Sequence, residues 1–127
     1  MRLMTPLARV RGLGSAKSGV HHWWAQRITA LAIVPLAIWF IASLLAMIGG
    51  GHGAMLAWFA SPLNSIAMAL LVFAMCYHAF LGLQVIIEDY VHCHALQAAS
   101  IIAVKFGAFL LASISILSIL KMHLLGA

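Results

Sequence analysis

Charge is scarce in this chain. Of its 127 residues 7% are charged, with two acids against seven Lys and Arg. Hydrophobic residues make up 65% and the mean hydropathy is +1.12. A soluble domain of this length needs far less apolar material for its core, so the composition points to a single-domain membrane protein. Cysteine is scarce too. Cys76 falls inside an apolar run and Cys93 beyond its end, and neither CxxC nor CxxCH occurs, which argues against a disulfide scaffold and against covalent haem attachment. Also missing are a P-loop, a Rossmann fingerprint, an HExxH motif, internal repeats and low-complexity tracts.

The charge that is present is unevenly placed. A net +5 and a pI near 9.9 would suit nucleic acid. Five of the seven basic residues, however, are Arg2, Arg9, Arg11, Lys17 and Arg27, all within the first 27 positions. Such an asymmetry is better explained by membrane topology than by a basic binding face, and no nucleic-acid partner is expected.

Three stretches are long and apolar enough to cross a bilayer, which predicts an all-α integral membrane protein with three transmembrane helices. Residues 28–48 form the first, uncharged and with Pro35 inside it, where a kink is expected. A signal peptide is a poorer reading, because the basic lead is long, the apolar run is of membrane length and no clear cleavage site follows. Residues 63–87 form the second span and 96–120 the third, the latter interrupted by Lys105. Between them lie a glycine-rich connector without Lys or Arg, residues 49–62, and a short polar turn, EDYVHCH, at 88–94. Basic residues mark the cytoplasmic side, so the N-terminal segment 1–27 and the 88–94 turn are placed inside and the C-terminus outside. Small residues recur on all three spans and permit close helix contacts, so membership of a larger heteromeric helical bundle is the default.

His78 is the one histidine well inside a predicted span. It lies nine residues before the end of the second span, about 14 Å along the axis and close to mid-membrane. An imidazole there needs partners for its N–H and its lone pair. One solution is a hydrogen bond to a Ser or a backbone carbonyl of a neighbouring helix. The other is ligation of haem iron through Nε2, with Nδ1–H held by an acceptor. Gly82, at i+4 on the same face, opens a slot for a porphyrin edge and favours the second. Bis-imidazole ligation would then need a histidine from another subunit.

Where the second span ends, Glu88 and Asp89 sit at a helix C-terminus, where carboxylates gain nothing from the dipole. Tyr90 beside them suits an interfacial aromatic belt. It also suits a phenol that hydrogen-bonds a quinone carbonyl, with a carboxylate nearby to tune or relay protons. Arg27, behind Trp23 and Trp24, would meet lipid phosphates or a haem propionate. Lys105, about ten residues into the third span, either snorkels to the cytoplasmic face or neutralises an anion inside the bundle.

The sequence resembles the hydrophobic membrane anchor subunit of succinate dehydrogenase, the smaller of two anchors in succinate:quinone oxidoreductase. The stretches that carry the resemblance are GVHHWWAQR, residues 19–27, and HAFLGLQVIIEDYVH, residues 78–92. The first has the family's G-V-H with an Arg six positions after the His. The second has H-A-x-x-G with D-Y ending twelve residues after the histidine. With three spans in matching order, the likeness covers nearly the whole chain.

The resemblance implies that His78 is an axial ligand of haem b, that Tyr90 donates to a ubiquinone carbonyl with Asp89 beside it, and that Arg27 lies near a haem propionate. It implies three partners: a second anchor (cytochrome b) subunit supplying the other haem ligand, an iron–sulfur subunit, and a flavoprotein subunit. FAD and the iron–sulfur clusters would reside in those partners, and this chain would not touch succinate. The expected location is a bacterial cytoplasmic membrane. Lys105, His21 and His22 match no family role. An anchor of a related fumarate reductase, a transporter subunit and a cofactor-free scaffold are the competing readings. A transporter would spread ionisable residues along a path, whereas here they gather at one side apart from His78 and Lys105.

Overall fold

The computed structural model describes residue 7 and residues 16–127, without the side chains of 16–18. Arg2, Arg9, Arg11 and the Lys17 side chain, on which the topology expectation largely rests, lie outside the described residues. Four helices follow: α1 (Ala16–Ala46), α2 (Gly51–Ala60), α3 (Pro62–Tyr90) and α4 (His94–Gly126), with no strand among the described residues. Three of them, over Gly19–Ala46, Pro62–Tyr90 and His94–Gly126, are long and apolar enough to cross a membrane. The all-α, three-span plan expected from the sequence is the one observed.

The boundaries differ, for a common reason: hydropathy marks where a helix lies in lipid, not where its hydrogen bonds begin and end. α1 starts at Ala16, well before position 28, and runs unbroken through Pro35. α3 continues through Glu88, Asp89 and Tyr90, and α4 begins at His94, so the polar turn shrinks to Val91, His92 and Cys93. α4 extends past position 120 and carries Lys121 and His123 within it.

The largest correction falls on the 49–62 connector, which contains the ten-residue α2. Its glycines suggest a loop, but only the turn itself needs them. Gly49 and Gly51 have φ of +86° and +63°, a region costly for a side chain, and they reverse the chain after α1. From Ala54 to Ala60 the composition is that of a good helix former, and Pro62, at the start of α3, forces the stop.

The last carbonyls of a short helix have no intrahelical donor, and here α2 receives donors from two other elements. Asn64 Nδ2 donates to the Trp58 carbonyl at 3.0 Å, and Ser65 Oγ to that of Phe59 at 2.7 Å. His123 Nδ1 donates to the same Phe59 carbonyl at 2.8 Å. Trp39 of α1 lies 5.4 Å from Trp58, centroid to centroid. Through these contacts α2 joins α1, α3 and α4 at one end of the bundle.

α3 is the central helix, packed on α1 and α4. Its Leu71, Ala74 and Leu81 are buried, with Ile119 of α4. Most other large apolar side chains are exposed, which suits a subunit whose surroundings are lipid and neighbouring helices. α1 and α3 run antiparallel: Gln26 and Thr29 meet His78, while Gly19, His22 and Trp23 share a cleft with Gly82 and Val85. The start of α1, the end of α3 and the α3–α4 turn therefore occupy one end, opposite α2.

Candidate functional site

Residues three apart on a helix share a face, so Gln26 and Thr29 both reach α3 from α1. Between them they hold the half-buried ring of His78. Thr29 Oγ1 lies 2.9 Å from Nδ1, and Gln26 Nε2 lies 3.3 Å from Nε2. The Thr29 hydroxyl also lies 2.8 Å from the Ala25 carbonyl and 3.0 Å from that of Gln26. Its one hydrogen is directed there, leaving lone pairs for His78. Nδ1 is then the donor, and Nε2 presents a lone pair toward the Gln26 amide N–H. Both contacts are consistent with one tautomer, with the proton on Nδ1.

Beside this contact is a cleft of about 460 Å³ lined by Gly19, His22, Trp23, Gln26, Gly82 and Val85. Gly82 contributes as expected from its spacing: a Cβ there would stand 3.6 Å from Gln26 Nε2, and a larger side chain would fill the space. Two buried polar atoms near the cleft, His22 Nε2 and Gln26 Oε1, have no hydrogen-bond partner. Buried groups are rarely left so, and both atoms belong to residues that line the cleft.

The other expected site residues lie apart, Arg27 beside Gln26 at the level of His78 and Asp89 and Tyr90 at the end of α3. Arg27 is exposed, its guanidinium 5.4 Å from the centre of the Trp23 ring. Asp89 is exposed, and Tyr90 is 78% exposed at the end of α3, twelve residues or about 18 Å along the axis from His78. Glu88 accepts from Gln84 Nε2 at 2.7 Å, and its backbone carbonyl accepts from Gln97 Nε2 at 3.2 Å. The second bond fixes the start of α4 against the end of α3 and so defines the turn beside Tyr90.

Lys105 belongs to a different place. It borders a groove of about 190 Å³ between α3 and α4, with Phe73, Tyr77, Phe80 and Phe109. Phe73, Tyr77 and Phe80 lie on the side of α3 turned away from His78. Lys105 therefore takes no part in the α1–α3 cleft.

Gln26, Thr29 and His22 are site residues that the sequence reading did not assign. A Gln and a Thr spaced at i and i+3 near the start of a span were the available signal, but only the pairing of α1 with α3 reveals that both meet His78. Among the described residues no three His, Cys, Asp or Glu side chains converge.

Residues 1–115 match the family described as the succinate dehydrogenase/fumarate reductase transmembrane subunit. A succinate dehydrogenase hydrophobic membrane anchor subunit of Rickettsia bellii is 39% identical over 104 residues, 82% of this chain and 83% of the relative. One from Paracoccus denitrificans is 35% identical over 107 residues, 84% and 83% of the two chains. A succinate dehydrogenase membrane anchor subunit of Reclinomonas americana is 30% identical over 92 residues, 70% and 77%. A match over nearly the whole length, on three membrane-length helices in the expected order, shows that the chain belongs to the family of succinate dehydrogenase/fumarate reductase transmembrane subunits.

Proposed function

We propose that this chain is the hydrophobic membrane anchor of a succinate:quinone oxidoreductase. In this reading it holds one side of a b-type haem through His78 and forms part of a ubiquinone pocket with Asp89 and Tyr90. The observation that carries the haem assignment is the state of His78: Nδ1 is engaged by Thr29, and the Nε2 lone pair is directed at a residue lining the Gly82 cleft. The unpartnered His22 Nε2 and Gln26 Oε1 support an occupant with polar groups of its own.

These residues fit the group. His78 would supply one nitrogen to hold the haem iron, with Gln26 giving up its place at Nε2, and Gly82 would leave room for the porphyrin edge. Arg27, next to Gln26 in α1 and so at the level of His78, would pair with a propionate. Bound there, haem supplies a one-electron store. A further ligand would come from the other anchor subunit.

Asp89 and Tyr90 stand at the end of α3, accessible to a quinone head entering from the lipid and to the soluble subunits. The Tyr90 hydroxyl would donate to a quinone carbonyl, and Asp89 would bias or relay one of the two protons taken up as two electrons from the iron–sulfur partner reduce ubiquinone to ubiquinol. Succinate oxidation on FAD and electron passage through iron–sulfur clusters belong to the flavoprotein and iron–sulfur partners. The N-terminus and the 91–93 turn face the bacterial cytoplasm and the C-terminus the periplasm, in line with the basic bias of the first 27 residues.

A dithionite-reduced minus oxidised spectrum of the assembled complex, wild type beside His78→Ala, tests the haem reading. A b-type α band lost or shifted in the variant is the expected result. No haem in wild type, or the same band in both, overturns it.

A further inference from the structure

We propose that Thr29 is the positioning residue of His78: its hydroxyl accepts Nδ1–H, fixes the tautomer and strengthens Nε2 as an iron donor. This rests on the haem reading above and deepens it. The geometry is local. A threonine in a helix directs its hydroxyl hydrogen to the carbonyl one turn back, here that of Ala25 at 2.8 Å with Gln26 at 3.0 Å. β-Branching limits the rotamers that can do this. The oxygen therefore arrives at His78 as an acceptor, 2.9 Å from Nδ1.

Consequences for the ring follow directly. Without an acceptor at Nδ1 the proton can move to Nε2, where it would block the iron-binding lone pair. With one, the ring keeps its orientation, and withdrawal of the Nδ1 proton toward oxygen raises the electron density at Nε2. A more basic imidazole favours ferric over ferrous iron. Thr29 thus acts through His78 and touches neither iron nor quinone.

The test compares Thr29→Val, which keeps the shape without lone pairs, with Thr29→Ser, which keeps the hydroxyl, both in the assembled complex. Thr29→Val is expected to retain haem about tenfold more weakly, as typically follows loss of a ligand's supporting hydrogen bond. Its haem midpoint potential should rise; a tenfold change in ferric over ferrous preference corresponds to about 59 mV for one electron. Thr29→Ser should stay near wild type in both. Wild-type potential and haem retention in Thr29→Val would overturn the proposal even where His78→Ala has removed the haem and upheld the parent reading. Pulsed EPR of the ferric wild-type complex gives a second readout that does not depend on any variant assembling. The remote imidazole nitrogen should carry a hydrogen-bonded proton, and a signal from an unbonded N–H overturns the assignment. A wild-type complex without haem overturns both readings together.

Discussion

The Phe59 carbonyl oxygen and His123 Nδ1 meet at 2.8 Å across 64 positions of sequence, joining the end of α2 to the end of α4. The same oxygen accepts Ser65 Oγ at 2.7 Å. A carbonyl has two lone pairs, so loss of either donor leaves it satisfied, whereas loss of both orphans it. His123→Leu or Ser65→Ala alone should cost about 1 kcal/mol of stability, and the double variant should exceed their sum by roughly another 1 kcal/mol. Thermal denaturation of the detergent-solubilised complex, arranged as a double-mutant cycle, measures this. Additive losses would show that the two donors do not share one acceptor in the native state.

Gly82 is the second test position, because its missing side chain keeps open the cleft beside His78. A Cβ there stands in ordinary contact with Gln26 Nε2, at 3.6 Å, so Gly82→Ala should assemble with near-normal haem content. Gly82→Leu fills the space that a porphyrin edge would use. Haem per complex should then fall severalfold while the three helices still insert, as read by pyridine haemochrome assay against complex concentration. Equal haem content in Gly82→Leu would move the haem away from this cleft.

These two positions show what the sequence discloses and what it conceals. Gly82 was legible, because i+4 spacing from His78 is a property of one helix and needs no tertiary information. The role of His123 was not: as a residue near the C-terminus it has no sequence neighbour to explain it, and its partner lies on a helix that the glycine-rich 49–62 stretch disguises. Thr29 and Gln26 were hidden for a similar reason. Each is ordinary within α1, and the register of α1 against α3 is what brings both to His78. The three long helices were plain from hydropathy. Their ends were not, since Glu88, Asp89 and Tyr90 continue the backbone ladder of α3 after its apolar run has stopped.

The quinone assignment makes a prediction separable from haem. Tyr90→Phe removes a hydroxyl and little else, and Asp89→Asn removes a charge at nearly constant shape. Each should lower succinate-driven ubiquinone reduction by about tenfold, the scale of one hydrogen bond to a reacting group. Succinate oxidation with a water-soluble dye as acceptor should be unchanged, because it bypasses the membrane site. The haem spectrum should also be unchanged, since Tyr90 lies about 18 Å along α3 from His78. Loss of both activities would indicate detachment of the soluble subunits rather than a damaged quinone pocket.

Membrane orientation can be read from the protein's own cysteines. Cys93 is exposed in the 91–93 turn, whereas Cys76 is half-buried within α3 beside the Phe73–Phe80 groove, inside the apolar span. A charged, membrane-impermeant maleimide should therefore reach Cys93 from one side of the bilayer only. With the N-terminus cytoplasmic, the two spans α1 and α3 bring the α3–α4 turn back to the same side as the start of α1. Inverted vesicles should then label at Cys93 and sealed right-side-out vesicles should not, with Cys93→Ser abolishing the signal. Labelling of right-side-out vesicles would reverse the topology. It would also place Asp89 and Tyr90 on the face away from the cytoplasm, where a succinate-oxidising partner on the cytoplasmic face could not deliver electrons to a quinone bound beside them.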